Sequence, residues 1–224
     1  MFDAIHVIGA GRAGGTIRAR LAERGLRVSE GRRPESRADI VLLCVPDSAI
    51  VEVAASVPVG PWIAHVSGAT HLTALDPHRR RFSTHPLQTL TRNRGPEQLD
   101  GAWAAVSGES PEAVAAARWL AETLGLRPFE VADADRTLYH AAAVIGGNFL
   151  VTLHRVATRL LAEVGAPPEA IEPLMARTRE TGFELTGPIA RGDWSTVEAH
   201  LAALAERDPD LVVLYRALAE ATRP

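Results

Sequence analysis

Residues 6–25 read HVIGAGRAGGTIRARLAERG, and this stretch decides the fold. It starts inside an apolar run, AIHVI at 4–8, turns through Gly9-Ala10-Gly11-Arg12-Ala13-Gly14, and continues as an amphipathic segment from Ala13 to Arg24. A lone G-x-G-x-x-G string says little. Placed between a strand pattern and a helix pattern, it has a physical reading. Gly9 makes the tight turn, Gly11 lets backbone approach a pyrophosphate, and Gly14 allows the helix to pack closely on the strand. The helix start then offers unpaired N–H groups to an anion. Gly9, Ala10, Gly11, Arg12, Ala13 and Gly14 are therefore the expected seat of a dinucleotide, the plain alternative being a merely tight strand-to-helix turn.

Outward from this stretch, six further apolar runs follow: LRVS, DIVLLCV, WIAHVS, RFSTH, AWAAVS and RPFEV. Helical patterns lie between several of them, at Ser48–Ser56 and Pro111–Leu124. Such alternation predicts a parallel sheet with crossover helices. After Asp133 the strand patterns stop. Helices are expected over Ala134–Val164, Pro167–Thr181, Ser195–Glu206 and Pro209–Thr222, with a turn at Leu185–Asp193; Ser195 and Glu198 read as a capping box. The expected fold class is α/β: a Rossmann-type parallel sheet domain over 1–133, followed by a smaller all-α domain over 134–224.

Composition narrows the chemistry. The 224 residues are 46% hydrophobic and 23% charged, with a net charge of −3, as in ordinary globular proteins and without a basic stripe for nucleic acid. No run approaches the roughly 20 apolar residues of a membrane span. The N-terminus lacks a basic segment followed by a signal-length apolar stretch, so a cytoplasmic location is expected. Cys44, the single cysteine, lies within IVLLCV and reads as a core residue. All 24 basic residues are arginine. The absence of lysine removes Schiff-base chemistry, lysine general acids and the P-loop lysine together. Neither H-E-x-x-H nor a paired-cysteine motif occurs, and no metal is expected.

Cofactor choice rests on VSEGRRPES at 28–36. Glu30 stands where the acid of an NAD site would hold the ribose 2′-hydroxyl. Arg32 and Arg33 follow at once and suit a 2′-phosphate. NADP is the expectation, with NAD the alternative and a solvated turn the bland reading. Only Pro34–Ala38 separate this loop from the next strand, too few for a second crossover helix, which predicts an open adenosine pocket. At the carboxyl edge of later strands, Val45 and Pro46 are expected beside the cofactor, and Asp47 is equally a helix cap. Ser67 and Gly68 are placed to meet the substrate or the nicotinamide amide.

Reduction or oxidation at a carbonyl, imine or alcohol needs a proton carrier beside the nicotinamide. His85 ends a strand before Pro86, at the edge where a parallel sheet presents side chains to ligands. His140 and Asn148 lie eight residues apart on one predicted helix, about 800° of rotation and so on roughly one side. Gly146 and Gly147 cost a helix roughly 1 kcal/mol each, implying either a close approach to ligand or tight helix packing. Tyr139 is read as core. His6, His65, His71, His78, His154 and His200 are read as packed or surface residues. Thr186 and Arg191 are candidates for holding an anionic substrate, and Asp193 reads first as a helix cap.

CVPDSAI (44–50), HVSGAT (65–70), THPLQTL (84–90), LYHAAAVIGGNFLVTL (138–153) and LTGPIARGDWSTVEAHL (185–201) together resemble a bacterial family of Rossmann-like proteins. The helical C-terminal half of that family is a conserved domain of unknown function. More distantly the chain resembles pyrroline-5-carboxylate reductase, prephenate dehydrogenase and the β-hydroxyacid dehydrogenases. The resemblance implies an NAD(P)-binding domain and a helical domain that completes the site and forms a homodimer, acting on a small keto, imino or hydroxy carboxylate. A dinucleotide-binding sensor without redox activity is the alternative. The β-hydroxyacid dehydrogenases and ketopantoate reductase use a lysine as proton donor, which this chain lacks.

Overall fold

The computed structural model describes residues 2–32 and 37–224. Seven strands form one sheet in the order β2-β1-β3-β4-β5-β6-β7. They are β1 (Ala4–Ile8), β2 (Arg27–Glu30), β3 (Ile40–Leu43), β4 (Trp62–His65), β5 (Arg81–Leu87), β6 (Trp103–Gly108) and β7 (Arg127–Glu130). Each matches one of the apolar runs. β1 lies between β2 and β3, so the strand order reverses at β1, the topological switch point at which such sheets bind ligands.

All neighbouring pairs are parallel except β5 and β6, which run antiparallel with Ser83 opposite Ser107 and His85 opposite Ala105. The sheet is thus mostly parallel, as the Rossmann-type pattern predicts, with this one antiparallel pair. A strand buried on both faces reads as a continuous apolar run in either direction, so the sequence pattern carries no sign for strand direction.

Helices α1 (Arg12–Glu23) and α3 (Pro111–Thr123) cover one face of the sheet. There Ile17, Leu21 and Leu120 pack with Ile5, Leu42 and Phe82. On the other face α2 (Ile50–Ser56) and a short turn at Leu72–Leu75 pack with Val41, Leu43 and Ile63. The alternation along β3, with Ile40 and Leu42 on one face and Val41 and Leu43 on the other, fills both cores. α3 starts at Pro111 after Ser110, whose hydroxyl accepts from Ala113 N at 3.2 Å, a standard N-cap.

Two compact units divide between Thr152 and Leu153. The strands end near Asp133, where the sequence places the end of the sheet domain, but the first unit extends further and includes α4 (Arg136–Val144) and a π-helical turn at Ile145–Phe149. Arg136 ties α4 to that unit, as described below. α5 (Leu150–Glu163) follows the π turn. The second unit contains α6 (Ile171–Glu180), α7 (Trp194–Arg207) and α8 (Asp210–Ala221). Val197, Leu201 and Ala219 form its small core, and Arg159 pairs with Asp208 at 2.6 Å. α7 begins two residues earlier than the Ser195–Glu198 box implies. Asp193 is its N-cap, accepting from Thr196 N at 3.2 Å and from the Ser195 and Thr196 hydroxyls at 2.8 and 2.7 Å.

Candidate active site

Gly9 and Gly14 occupy the tight turn and the close helix–strand contact that their spacing predicts. Gly9 has φ +116°, and a Cβ there would run into the carbonyl of Cys44. At Gly14 a Cβ would run into the Gly9 carbonyl and press on Cys44 Cβ, so helix and strand meet with no room for a methyl group. Beyond Gly11 the space is open. The helix start has no side-chain cap, which leaves its first N–H groups to face a ligand. Burial pushes the Cys44 thiol up to about 12, and the cysteine serves as packing beneath this turn.

A crevice of about 820 Å³ opens at the carboxyl ends of β1, β2 and β3. Gly9, Ala10, Glu30, Arg32 and Val45 line it. His6 shapes its rim by bonding Ser29 Oγ at 2.8 Å and the Gly31 carbonyl at 3.2 Å. The Glu30 carboxylate forms an ion pair with Arg18. Pro46 precedes the turn that opens α2, and Asp47 makes no capping bond. Arg33 lies outside the described residues.

The second site sits further along the same carboxyl edge, on one face of β4–β7. That face carries a polar series with a period of two, which a sheet interior does not need. In β5, Arg81, Ser83 and His85 share it; His65 of β4 and Ser107 of β6 stand in register with Ser83. Against it lies the face of α4 that presents Arg136, Tyr139 and His140, spaced i, i+3, i+4.

Arg136 is 0% exposed. Nε donates to the Thr70 carbonyl at 2.8 Å and Nη1 to Ser107 Oγ at 2.9 Å and to Ser83 Oγ; Nη2 donates to the Ser67 carbonyl. One guanidinium thus joins the loop after β4, strands β5 and β6, and helix α4. Burial lowers its pKa, opposed by the carboxylates of Asp133 and Asp47. Sequence reasoning missed this residue. The available signal was the R-x-x-Y-H spacing opposite alternating polar residues in RFSTH.

Tyr139 corrects a second expectation. It is not core: its hydroxyl lies 2.7 Å from His85 Nδ1. The rings of Tyr139 and His140 stand 5.6 and 6.0 Å from that of His85, so both adjacent residues of α4 flank one strand histidine. A rotation of about 100° between neighbours does not separate two side chains when the target sits between them. A donating phenol would leave the His85 proton on Nε2. That atom faces Gly68, where an added Cβ would lie 3.0 Å from it and 2.5 Å from His140 Cδ2. Gly68 is therefore required by ring approach. Burial brings His85 down to about 4, helped by His140 and Arg136 and opposed by the Asp47 carboxylate, so its imidazole is neutral at pH 7. Burial raises the Tyr139 phenol to about 12.

His85, Tyr139, His140 and Asn148 border one cleft of about 650 Å³, together with Phe129 and Gly147. Gly146 and Gly147 fall in the π turn, a distortion frequent at functional sites, and a Cβ at either would meet nothing within 4 Å. Within the described chain no neighbour packs against either glycine.

The Ser67 hydroxyl donates to Thr70 Oγ1 at 2.9 Å and accepts from Thr70 N at 3.0 Å, which closes the loop that carries Gly68 on itself. Thr186 and Arg191 are exposed residues of the second unit. His65, read as packed, is 0% exposed with neither ring nitrogen hydrogen-bonded, and burial brings it down to about 3.

A glycine turn at a switch point, with a histidine cleft on the same sheet edge, defines a Rossmann-like protein with a helical C-terminal region. Over residues 102–222, more than half its length, the chain matches the family described as "Domain of unknown function (DUF2520)" and belongs to it. No curated protein matches the chain. Its fold is similar to that of a Bacteroides fragilis protein provisionally assigned as an NADP oxidoreductase, at 22% identity and TM-score 0.83, covering 99% of this chain and 98% of that one. It is also similar to 1-pyrroline-5-carboxylate reductase from Streptococcus pyogenes, at 15% identity and TM-score 0.64, covering 98% and 96%. A reductive aminase from Aspergillus terreus, in complex with NADPH and ethyl levulinate, is similar at 15% identity and TM-score 0.69, covering 99% and 93%. These likenesses show a shared fold over nearly the whole chain. Among the described residues, no helix is long and apolar enough to cross a membrane.

Proposed function

We propose that the protein is an NADP-dependent oxidoreductase acting on a small keto, imino or hydroxy carboxylate. The observation that carries this reading is the His85–Tyr139–His140 cluster, opening on the same carboxyl edge as the glycine turn. The cradle fits the cofactor: open space at Gly11, uncapped helix N–H groups, and a crevice bordered by Arg32. Gly9, Gly11, Arg12 and Ala13 would hold the pyrophosphate, with Val45 and Pro46 alongside. A bound nicotinamide supplies or accepts the hydride. The chain's own part is the proton: as the Nε2 proton of the neutral His85 passes to the substrate heteroatom, Nδ1 takes the proton of the Tyr139 phenol, which leaves a phenolate near Arg136, and the His140 imidazole faces the same place. Asn148, on the cleft wall, orients the carbonyl or amide. The choice of NADP is supported by the engagement of Glu30 with Arg18, which leaves Arg32 as the nearby cation for a 2′-phosphate.

Thr186 and Arg191, exposed residues of the second unit, are proposed as holders of an anionic group. A homodimer through the helical region is part of the proposal, supported by α5, which buries none of its residues although Leu150, Val151 and Leu153 are apolar and exposed. Fluorescence titration with NADPH and NADH, followed by absorbance screening of small 2-keto acids and cyclic imines, tests the reading. Turnover that falls at least a hundredfold in His85→Asn and in Tyr139→Phe is expected. Binding without turnover across the panel would make the protein a non-catalytic dinucleotide binder, and no binding of either cofactor would overturn the proposal outright.

A further inference from the structure

Helix α1 begins with a cation where helix electrostatics favour an anion. Arg12 is its first residue, and its first turn carries no acidic side chain, although the positive end of a helix dipole stabilises acids there. Arg12 borders a cavity of about 380 Å³ on the flank of α1, facing the loop that follows β5 and brings in Arg92 and Arg94. This cavity shares only Ala10 with the adenosine crevice.

The three arginines differ from Arg20, two turns along the same helix. Arg20 is buried and compensated: Nη2 lies 2.8 Å from Asp100 and donates to the Pro96 carbonyl at 2.7 Å. Arg12, Arg92 and Arg94 are exposed, and among the described residues none of them is ion-paired. Glu97, the nearest acid along the loop, has its carboxylate on Gly95 N at 3.0 Å.

The loop itself is held from below. Buried Gln98 accepts from Thr91 N at 2.8 Å and donates to the carbonyls of Thr91, Arg94 and Gly95 at 3.2, 3.1 and 2.9 Å. A fixed backbone therefore carries Arg92 and Arg94 to the border of the cavity that Arg12 also lines, at the positive end of a helix. Three like charges around one small cavity repel one another, and a multivalent oxyanion relieves that repulsion with charge-assisted hydrogen bonds.

We propose that Arg12, Arg92 and Arg94 form an anion clamp that grips a pyrophosphate from the flank of α1 opposite the adenosine crevice. The clamp rests on the dinucleotide reading above, and its ligand is the pyrophosphate of the cofactor. Arg92 and Arg94 would then serve NADP and NAD equally, unlike Arg32.

Fluorescence titration of NADPH and NADH into wild type, Arg32→Ala and the double variant Arg92→Ala/Arg94→Ala tests this. The double variant should bind both cofactors about tenfold more weakly, as expected for lost hydrogen bonds to a charged group. Arg32→Ala should weaken NADPH alone. The inhibition constant of inorganic pyrophosphate against NADH, corrected for the Kd of NADH in each protein, should rise about tenfold in the double variant. Wild-type affinity of the double variant for both dinucleotides overturns the clamp while leaving the cofactor reading intact. So does a variant that loses pyrophosphate binding and keeps NADH, because the clamp then serves another phosphorylated ligand. Failure of wild type to bind either dinucleotide overturns the cofactor reading itself, and the clamp with it.

Discussion

Replacing Arg136 by methionine should destabilise the first unit by about 3 kcal/mol, and the figure can be built from its contacts. The guanidinium is 0% exposed and has four oxygen acceptors. Methionine has similar length and no donor. Ser83 and Ser107 stand opposite each other, and Ser107 already donates to the Val131 carbonyl at 2.6 Å, so the two hydroxyls can re-pair. The carbonyls of Ser67 and Thr70 have no such recourse; at about 1–3 kcal/mol for each buried group left unsatisfied, the loss is roughly 2–6 kcal/mol. Part is returned because a guanidinium no longer has to be desolvated. A net loss of about 3 kcal/mol is large against a typical total of about 5–15 kcal/mol. With a urea slope of about 1–3 kcal/mol/M, the unfolding midpoint should fall by roughly 1–3 M, followed by near-ultraviolet circular dichroism. Arg118→Met is the control. Its pair with Glu130, at 2.7 Å, is exposed on both sides, and loss of such a pair changes stability by about 0–1 kcal/mol. Equal midpoints for wild type and Arg136→Met would refute the view that this guanidinium organises the site.

Three further outcomes follow from the same geometry. Burial holds His65 near 3 and His85 near 4, against 6.5 in an unfolded chain; below about pH 6.5 the unfolded chain binds more protons, so stability should fall with pH through the window from 6.5 toward 4. His65→Leu should flatten that slope in urea titrations at stepped pH, and an unchanged slope would count against the assignment. Gly68→Ala places a methyl 2.5 Å from His140 and 2.9 Å from the His85 ring; turnover should fall about a hundredfold through misplacement of the rings, while the Kd for NADPH stays within about twofold. Light scattering at micromolar concentration should give about twice the 24.0 kDa chain mass; a mass near that of one chain would refute the dimer.

What the sequence by itself determined was local. Seven apolar runs became seven strands, and Gly9 and Gly14 sit where a Cβ has no room, because period and backbone freedom act over a few residues. His85, His140, Gly68 and Asn148 were legible as candidates from their places at strand ends and on one helix. The tertiary structure alone decided how they combine. Arg136 reaches partners 29 to 69 residues away in sequence, Tyr139 reaches His85 across 54, and β6 runs against β5. Glu30 and Ser67 looked available to a ligand, yet Arg18 holds the first and the turn at Thr70 holds the second. A polar side chain has the same letter whether its hydrogen bonds go to a ligand or to its own fold. Which of these it does depends on where long-range packing places the competing donors and acceptors.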